Sequence, residues 1–307
     1  MSETWGVSPL TSVRSRLSAS LFEMVAGPNG PEERERIHTT PGPRWFPPGS
    51  PIQRVHGDAA MYIGGIRALL LQSLHPLAMA GVDDHSDFRH DVWGRLARTS
   101  TYLADTTFGA AEHAERAVAI VKAVHRHVHG TAPDGRPYRA DDPHLLLWVH
   151  VAEIDSFLTA HQLFGPKPLT GEECDAYVAQ AGGVATKLGA HGVPTTRAEL
   201  TASLEDFRNE LQSTPAARDV ARFLLADAPL PSSAKVPYEV LAWAAVATLP
   251  RWAREPLGLP DRPTTDRTLG RLGGHVSTRA LRWLTTAEPM RHPHRPTEQR
   301  TRKATAT

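Results

Sequence analysis

A chain of 307 residues, 40% of them hydrophobic, is long enough to bury a substantial core and too short for three ordinary domains. Its formal net charge of +1 sets up no dominant field and argues against a nucleic-acid partner. Its single cysteine, Cys174, excludes an internal disulfide, a cysteine-rich zinc site and an iron–sulfur cluster.

Val13, Leu17, Leu21 and Val25 recur at i+4 and predict a first amphipathic helix. The N-terminal stretch has no uninterrupted apolar run of the kind a signal peptide carries. GPNGPEERERIHTTPGPRWFPPGSP then reads as a long surface connector. Ser50-Pro51-Ile52-Gln53 has the form of a capping box with proline at the first helical position. It predicts a second helix running to about His75, where Pro76 disfavours continuation. Gly57, Gly64 and Gly65 lie inside that helix, and each costs up to about 1 kcal/mol against alanine. Close helix packing is one reason to carry them; room for a flat ligand is another. The greasiest stretch, IRALLLQSLHPLAMAGV, is broken by Gln72, Ser73, His75 and Pro76. It falls short of the roughly 20 apolar residues of a membrane span, so the chain is expected to be soluble and cytoplasmic, with no transmembrane segment.

GVDDHSDFRHDVWG reads as a polar loop, followed by a third helix over 92–105. After a break at TTFG, a fourth helix is predicted from Ala110 to His129, with Gly130 just past its end. PDGRPY is a turn. Asp142-Pro143 supply N-cap and first position of a fifth helix that ends near Phe164, before Gly165-Pro166. Thr170-x-x-Glu173 and Thr196-x-x-Glu199 are capping boxes, and Pro215 and Pro237 look like first helical residues. Beyond about 287 the chain is polar and basic without apolar periodicity, the composition of a disordered tail. No alternating strand pattern is evident. The fold class is all-α, with an N-terminal helix and connector over 1–44, one helical domain over 45–287 and a tail over 288–307.

The chain carries 16 histidines, and three of them crowd IVKAVHRHVHG. On a helical wheel Ala114, Val118, Val121, Val124, His125 and Val128 share one face, which puts His125 on the buried stripe and turns His127 away. A histidine on a rigid apolar helix face suits a haem ligand, although most such residues are hydrogen-bonded core histidines. His125 and His129 at i, i+4 could also chelate zinc, but HExxH is absent. The Glu-x-x-His signature of a di-iron bundle is missing from the central helices.

Arg95, Arg98, Thr99 and Tyr102 fall at i, i+3, i+4 and i+7 on the third helix. Such a face serves an anion, an oxygen-derived species or haem propionates, or else simply meets solvent. His75 and His85 are candidate acid–base groups near neutral pH. In LLLWVHVAEIDSFLTAH, His150 and Asp155 sit among large apolar residues, and Asp155 needs a partner, either Arg67 or a histidine.

The segments RVHGDAAMYIGGIRALLLQSLHPLAMAGVDDHSDF, RLARTSTYLADTTFG and VHRHVHGTAPDGRPYRADDPHLLLWVHVAEIDSFL together resemble the MpaB-type oxygenase family, which includes the catalytic domain of latex clearing protein, a rubber oxygenase. The resemblance spans roughly residues 45–260. It implies a globin-like helical core holding haem b, an oxygenase reaction with dioxygen, and a hydrophobic small-molecule substrate. Lys122-x-x-His125 stands where the family has Arg-x-x-His, so the resemblance assigns the iron to His125. Arg95-x-x-Arg98-Thr99 stands where it has Arg-x-x-Lys-Thr, which places Arg95, Arg98 and Thr99 on the distal side. Lys122, Arg67 and His150 are the further candidates for holding the cofactor. Two departures stand out. Arg98 replaces a lysine and is a poor iron ligand. The family's glutamate base has no counterpart between His75 and Arg95, where only Asp83, Asp84, Asp87 and Asp91 are acidic. Rubber cleavage is therefore not expected. The alternative function is a non-catalytic helical haem-binding or sensor protein.

Overall fold

The computed structural model describes residues 25–85 and 91–285, together with positions 14, 18, 19, 22 and 23. In chain order the helices are α1 (Gly30–Thr39), α2 (Pro51–His56), α3 (Met61–Gln72), α4 (Pro76–His85), α5 (Val92–Phe108) and α6 (Ala111–His125). A small hairpin follows, β1 (His129–Thr131) paired antiparallel with β2 (Pro137–Arg139), Gly130 opposite Tyr138. Then come α7 (Pro143–Phe164), α8 (Gly171–Leu188), α9 (Arg197–Asp206), α10 (Pro215–Arg222), α11 (Ser232–Thr248), α12 (Arg251–Arg254), α13 (Pro263–Thr265) and α14 (Arg271–Thr285). The fold is α-helical apart from that hairpin, and among the described residues no helix is long and apolar enough to cross a membrane.

Helix α7 is the axis. Asp142 caps it by accepting the His144 N–H at 2.8 Å, and Pro143 occupies the first turn, where no N–H is needed. Its sequence is apolar on nearly every side, and it is buried accordingly, with Trp148, Val151, Ala152, Ile154 and Phe164 all in the core. Helix α3 lies along it. Gly64 allows this approach, since a Cβ there would sit 3.2 Å from Phe157 Cα and 3.3 Å from the Ser156 carbonyl. Of the two readings of these glycines, close packing describes Gly64, whereas Gly65 has open space around it. On one side of this pair α10 and α11 complete a core with Leu70, Leu71, Leu74, Trp148 and Leu241. On the other, α2, α8 and α9 complete a second with Ile52, Val55, Tyr177 and Val178.

Several boundaries differ from those expected. The single helix over 50–75 is two, broken at Gly57–Ala60, because the Asp58 carboxylate accepts the Ala60 N–H at 2.8 Å and starts α3 afresh. Ser50 precedes α2 without donating or accepting a capping bond; Gln53 reaches instead to the Gly49 N–H at 3.1 Å. Pro76 opens α4 rather than only closing what precedes it, so the supposed polar loop is helical as far as His85. The supposed connector contains α1, tied to α5 by Arg36 and Asp105 at 2.9 Å. Helix α5 runs through TTF because the Thr106 hydroxyl bonds back to the Tyr102 carbonyl at 2.8 Å and stays helical. Helix α6 stops at His125, and His129 belongs to β1, which removes the i, i+4 histidine pair. Pro237 lies inside α11, not at its start. The capping box at Thr170 and Glu173 is complete, and Thr196 accepts the Glu199 N–H. Val13, Leu17, Leu21 and the tail expected from 288 onward lie outside the described residues.

Candidate active site

Helices α5, α6, α8 and α7 form an incomplete ring. Helix α5 packs along α6, α6 against α8, and α8 against α7, while α5 and α7 approach each other far less closely. The interior side of α7 between them carries His150, Glu153 and Phe157, at i, i+3 and i+7. Tyr177 faces it from α8, Tyr102 from α5 and His56 from α2: both phenols feel the charge of Glu153, and His56 sits edge-on to Phe157 at 5.5 Å and to Tyr177 at 5.8 Å. His56 is held by the Thr107 hydroxyl at 2.8 Å and the Tyr177 hydroxyl at 3.3 Å.

Burial sets the protonation states here. It pushes the Glu153 carboxyl up to about 7, although the side chain keeps some accessible surface. A group that is both desolvated and still reachable lines a recess, not the outer surface. Among the described residues no cation or hydrogen-bond donor compensates Glu153. Burial brings His150 down to about 4 and His56 to about 3, so both are neutral at pH 7. It raises both phenols, Tyr177 well above the usual value, so both stay protonated. His150 is 7% exposed and its Nε2 has no partner. Buried polar atoms are nearly always paired, so this one asks for an occupant.

His125 is the last residue of α6. The inward stripe holds Ala114 and Val118 buried and Val121 and His125 half-buried. Val124, placed on the same face by the wheel, is 55% exposed, because the stripe passes to its other side. Burial lowers the His125 pKa against the pull of Asp141, and its Nδ1 is buried without a partner. His127 is exposed.

The other expected residues scatter. Arg95 is half-buried, and burial and the neighbouring Arg98 lower its pKa. Arg98 and Thr99 are exposed; Arg98 is drawn outward to Asp91 at 2.9 Å, so the polar face of α5 divides, with Arg95 and Tyr102 turning in. Lys122 is exposed and donates to the Lys187 carbonyl at 3.3 Å, at the C-terminal end of α8. Arg67 does not belong to this recess. It is buried between α3, α7 and α11, paired with Asp155 at 2.7 Å and donating to the Ser156 hydroxyl at 2.6 Å and the Thr248 carbonyl at 3.2 Å. That gives Asp155 its cation and engages all three nitrogens of the Arg67 guanidinium away from the recess. His75 lies between Trp148 and Phe207, with Nε2 3.4 Å from Glu210. Trp148 precedes His150 by two residues, about 200° round the helix, so His75 is on the far side of α7 from the recess. His85 is exposed, with Nε2 3.1 Å from the His129 carbonyl.

Glu153, Tyr177 and His56 were missed. The signal for Glu153 was present: it follows His150 by three residues in an otherwise apolar helix, the same-face spacing. Nothing local marks Tyr177 or His56.

A family model for the catalytic domain of ER-bound oxygenase mpaB/B' and rubber oxygenase matches residues 53–286. No curated protein and no solved structure matches the chain. The matched span runs from α2 to the end of α14 and contains every residue of the recess, and it covers well over half of the sequence. The chain belongs to the mpaB and rubber oxygenase catalytic-domain family.

Proposed function

We propose that the protein is a haem-b-dependent oxygenase that uses dioxygen on a hydrophobic small molecule, with the recess between α5 and α7 as its active cavity. The observation that carries this reading is the set of buried, uncompensated groups on the facing helices: the unpartnered ring nitrogens of His125 on α6 and His150 on α7, with Glu153 one turn from His150. The residues present suit the cofactor. His125 offers a neutral imidazole on a rigid helix end, the form in which histidine binds iron. Arg95 and Lys122 supply cations on α5 and α6 for the propionates. Bound haem would supply the one-electron chemistry that dioxygen activation needs.

The chain's own groups do the rest. Phe157 and the neighbouring apolar surface hold a hydrophobic substrate and exclude water. Glu153 lies near neutrality and both accepts and returns a proton at its carboxyl oxygens. Tyr102 and Tyr177 keep their protons, and the Tyr177 hydroxyl holds the His56 ring. His150 is neutral and orients a donor on the substrate, or a water, through Nε2.

The test is the visible spectrum and iron content of the purified protein and of His125→Ala. A Soret band in the parent, largely lost in the variant with helix content kept, supports the assignment. A parent without haem overturns the cofactor reading, and equal haem in both overturns the role of His125. The unpartnered His150 nitrogen also favours a second reading, a haem-binding sensor with two histidine ligands. A low-spin spectrum that turns high-spin in His150→Ala would support the sensor over the oxygenase.

A further inference from the structure

The recess differs from one end to the other. Arg95 and Tyr102, the side chains of α5 that turn in, stand two turns apart, about 10 Å along the helix axis. Tyr102 lies within reach of the Glu153 charge, whereas Arg95 feels Arg98 and Asp91 instead. One end is therefore basic. The other gathers Glu153, His150, Tyr102 and Tyr177 and holds no cation among the described residues.

What this second end lacks is a donor. His150 is 7% exposed, and no group bonds its Nε2. Glu153 shares that face of α7 one turn on, and among the described residues no cation or hydrogen bond meets its carboxylate. The Tyr177 hydroxyl is already engaged with His56 at 3.3 Å, and His56 with the Thr107 hydroxyl at 2.8 Å. Neutral His150 accepts at Nε2 when its proton sits on Nδ1, and Glu153 accepts at both oxygens. Two unmet acceptors on adjacent turns suit one group that brings both protons and positive charge. The walls suit it too, since Phe157, Tyr102 and Tyr177 bring aromatic rings to this end, and ring faces attract cations. An anionic head would meet Glu153 as a like charge. A dissociable metal ion matches less well, because among the described residues no group of three metal-ligating side chains forms.

We infer that the recess takes a hydrophobic amine, its ammonium group against Glu153 and His150 and its apolar body along Phe157. The inference rests on the reading of the recess as the active cavity and narrows the hydrophobic substrate to a class. The cationic head is held at the Glu153 end, and the carbon skeleton extends toward the end where Arg95 stands. The test is isothermal titration calorimetry of the full chain at pH 8 with three probes of one chain length: N,N-dimethyloctylamine, octanol and octanoate. The substituents on the tertiary amine keep it from acting as a ligand to iron while leaving one N–H to donate when it is protonated. The amine is expected to bind tightest and octanoate weakest. Glu153→Gln, with an unchanged circular dichroism spectrum, should weaken the amine by roughly tenfold to a hundredfold and bring octanoate closer to octanol. A parent with no preference for the amine, or with no binding of any probe, overturns the inference. So does equal amine affinity in parent and variant. Calorimetry reads binding and not turnover, so the two readings fail separately. A protein without a Soret band that still prefers the amine overturns the haem reading alone, and a haem-loaded protein without the preference overturns this one alone.

Discussion

Glu153 stands one helical turn beyond His150 on α7, and the same burial pushes their proton affinities in opposite directions, the carboxyl up to about 7 and the imidazole down to about 4. Both shifts favour the neutral form, in a recess where a charge would be poorly solvated. The folded chain keeps the Glu153 proton while the unfolded chain releases it from about pH 4.5 upward. Stability therefore falls as pH rises through the window from 4.5 to 7, and is flat above it. Glu153→Gln should remove that loss, gaining about 1–3 kcal/mol at pH 8 and little at pH 4. Urea denaturation of parent and variant at both pH values checks this.

His150 has the opposite slope. Its folded pKa is depressed from 6.5 to about 4, so the unfolded chain takes up the proton first on acidification. Stability is lost as pH falls from 6.5 to 4. His150→Asn should flatten the acid side of a plot of Tm against pH and leave the alkaline side alone. An unchanged acid limb would mean that the imidazole meets solvent.

Arg67 is expected to act on stability alone. Arg67→Ala leaves Asp155 without its cation and removes the donors to Ser156 and Thr248. Breaking a buried pair of this kind costs about 3–5 kcal/mol. If the haem reading holds, haem per folded molecule should be unchanged, whereas a propionate ligand would lose haem first.

Gly64 and Gly65 are adjacent and should respond oppositely to alanine. At Gly64 the new methyl meets the α7 backbone, and overpacking of that kind costs about 1–3 kcal/mol. At Gly65 it meets open space, and the gain in helix propensity stabilises by up to about 1 kcal/mol. Thermal melts of the two variants give the signs directly.

Arg98→Ala is expected to be nearly silent. The side chain is 68% exposed and pairs with an exposed Asp91, so the variant should shift stability by no more than about 0.5 kcal/mol. Cyanide affinity of a haem-loaded protein should likewise stay the same, while Arg95→Ala, on the inward side of α5, should weaken it. A large effect at Arg98 would place that guanidinium in the cavity.

Local signals in the sequence carried much of the fold. Thr170 with Glu173 and Asp142 with Pro143 announce their helices because capping is a matter of neighbouring residues. The break after His56 was illegible because Asp58 owes its place to Arg282, and α1 because its anchoring partner is Asp105 on α5. The recess followed the same division. Periodicity brought His125 to the inward stripe of α6. For Asp155 it offered Arg67 or a histidine without choosing, since Arg67 lies on another helix; the pairing of Asp155 with Arg67 is what leaves Glu153 alone. Nor could it separate Arg95 from Arg98, because the partner that draws Arg98 outward precedes the helix.

The clamp between Arg282 and Asp58 spans 224 positions of sequence. Asp58 is almost fully covered and begins α3, the helix that packs against the axis of the molecule. A chain emerging from the ribosome would therefore have α3 and α7 available long before the cation that completes their junction. A truncation that stops short of Arg282 is therefore expected to do more than shorten the protein: it leaves the Asp58 carboxylate, at the start of α3, without the guanidinium that holds it.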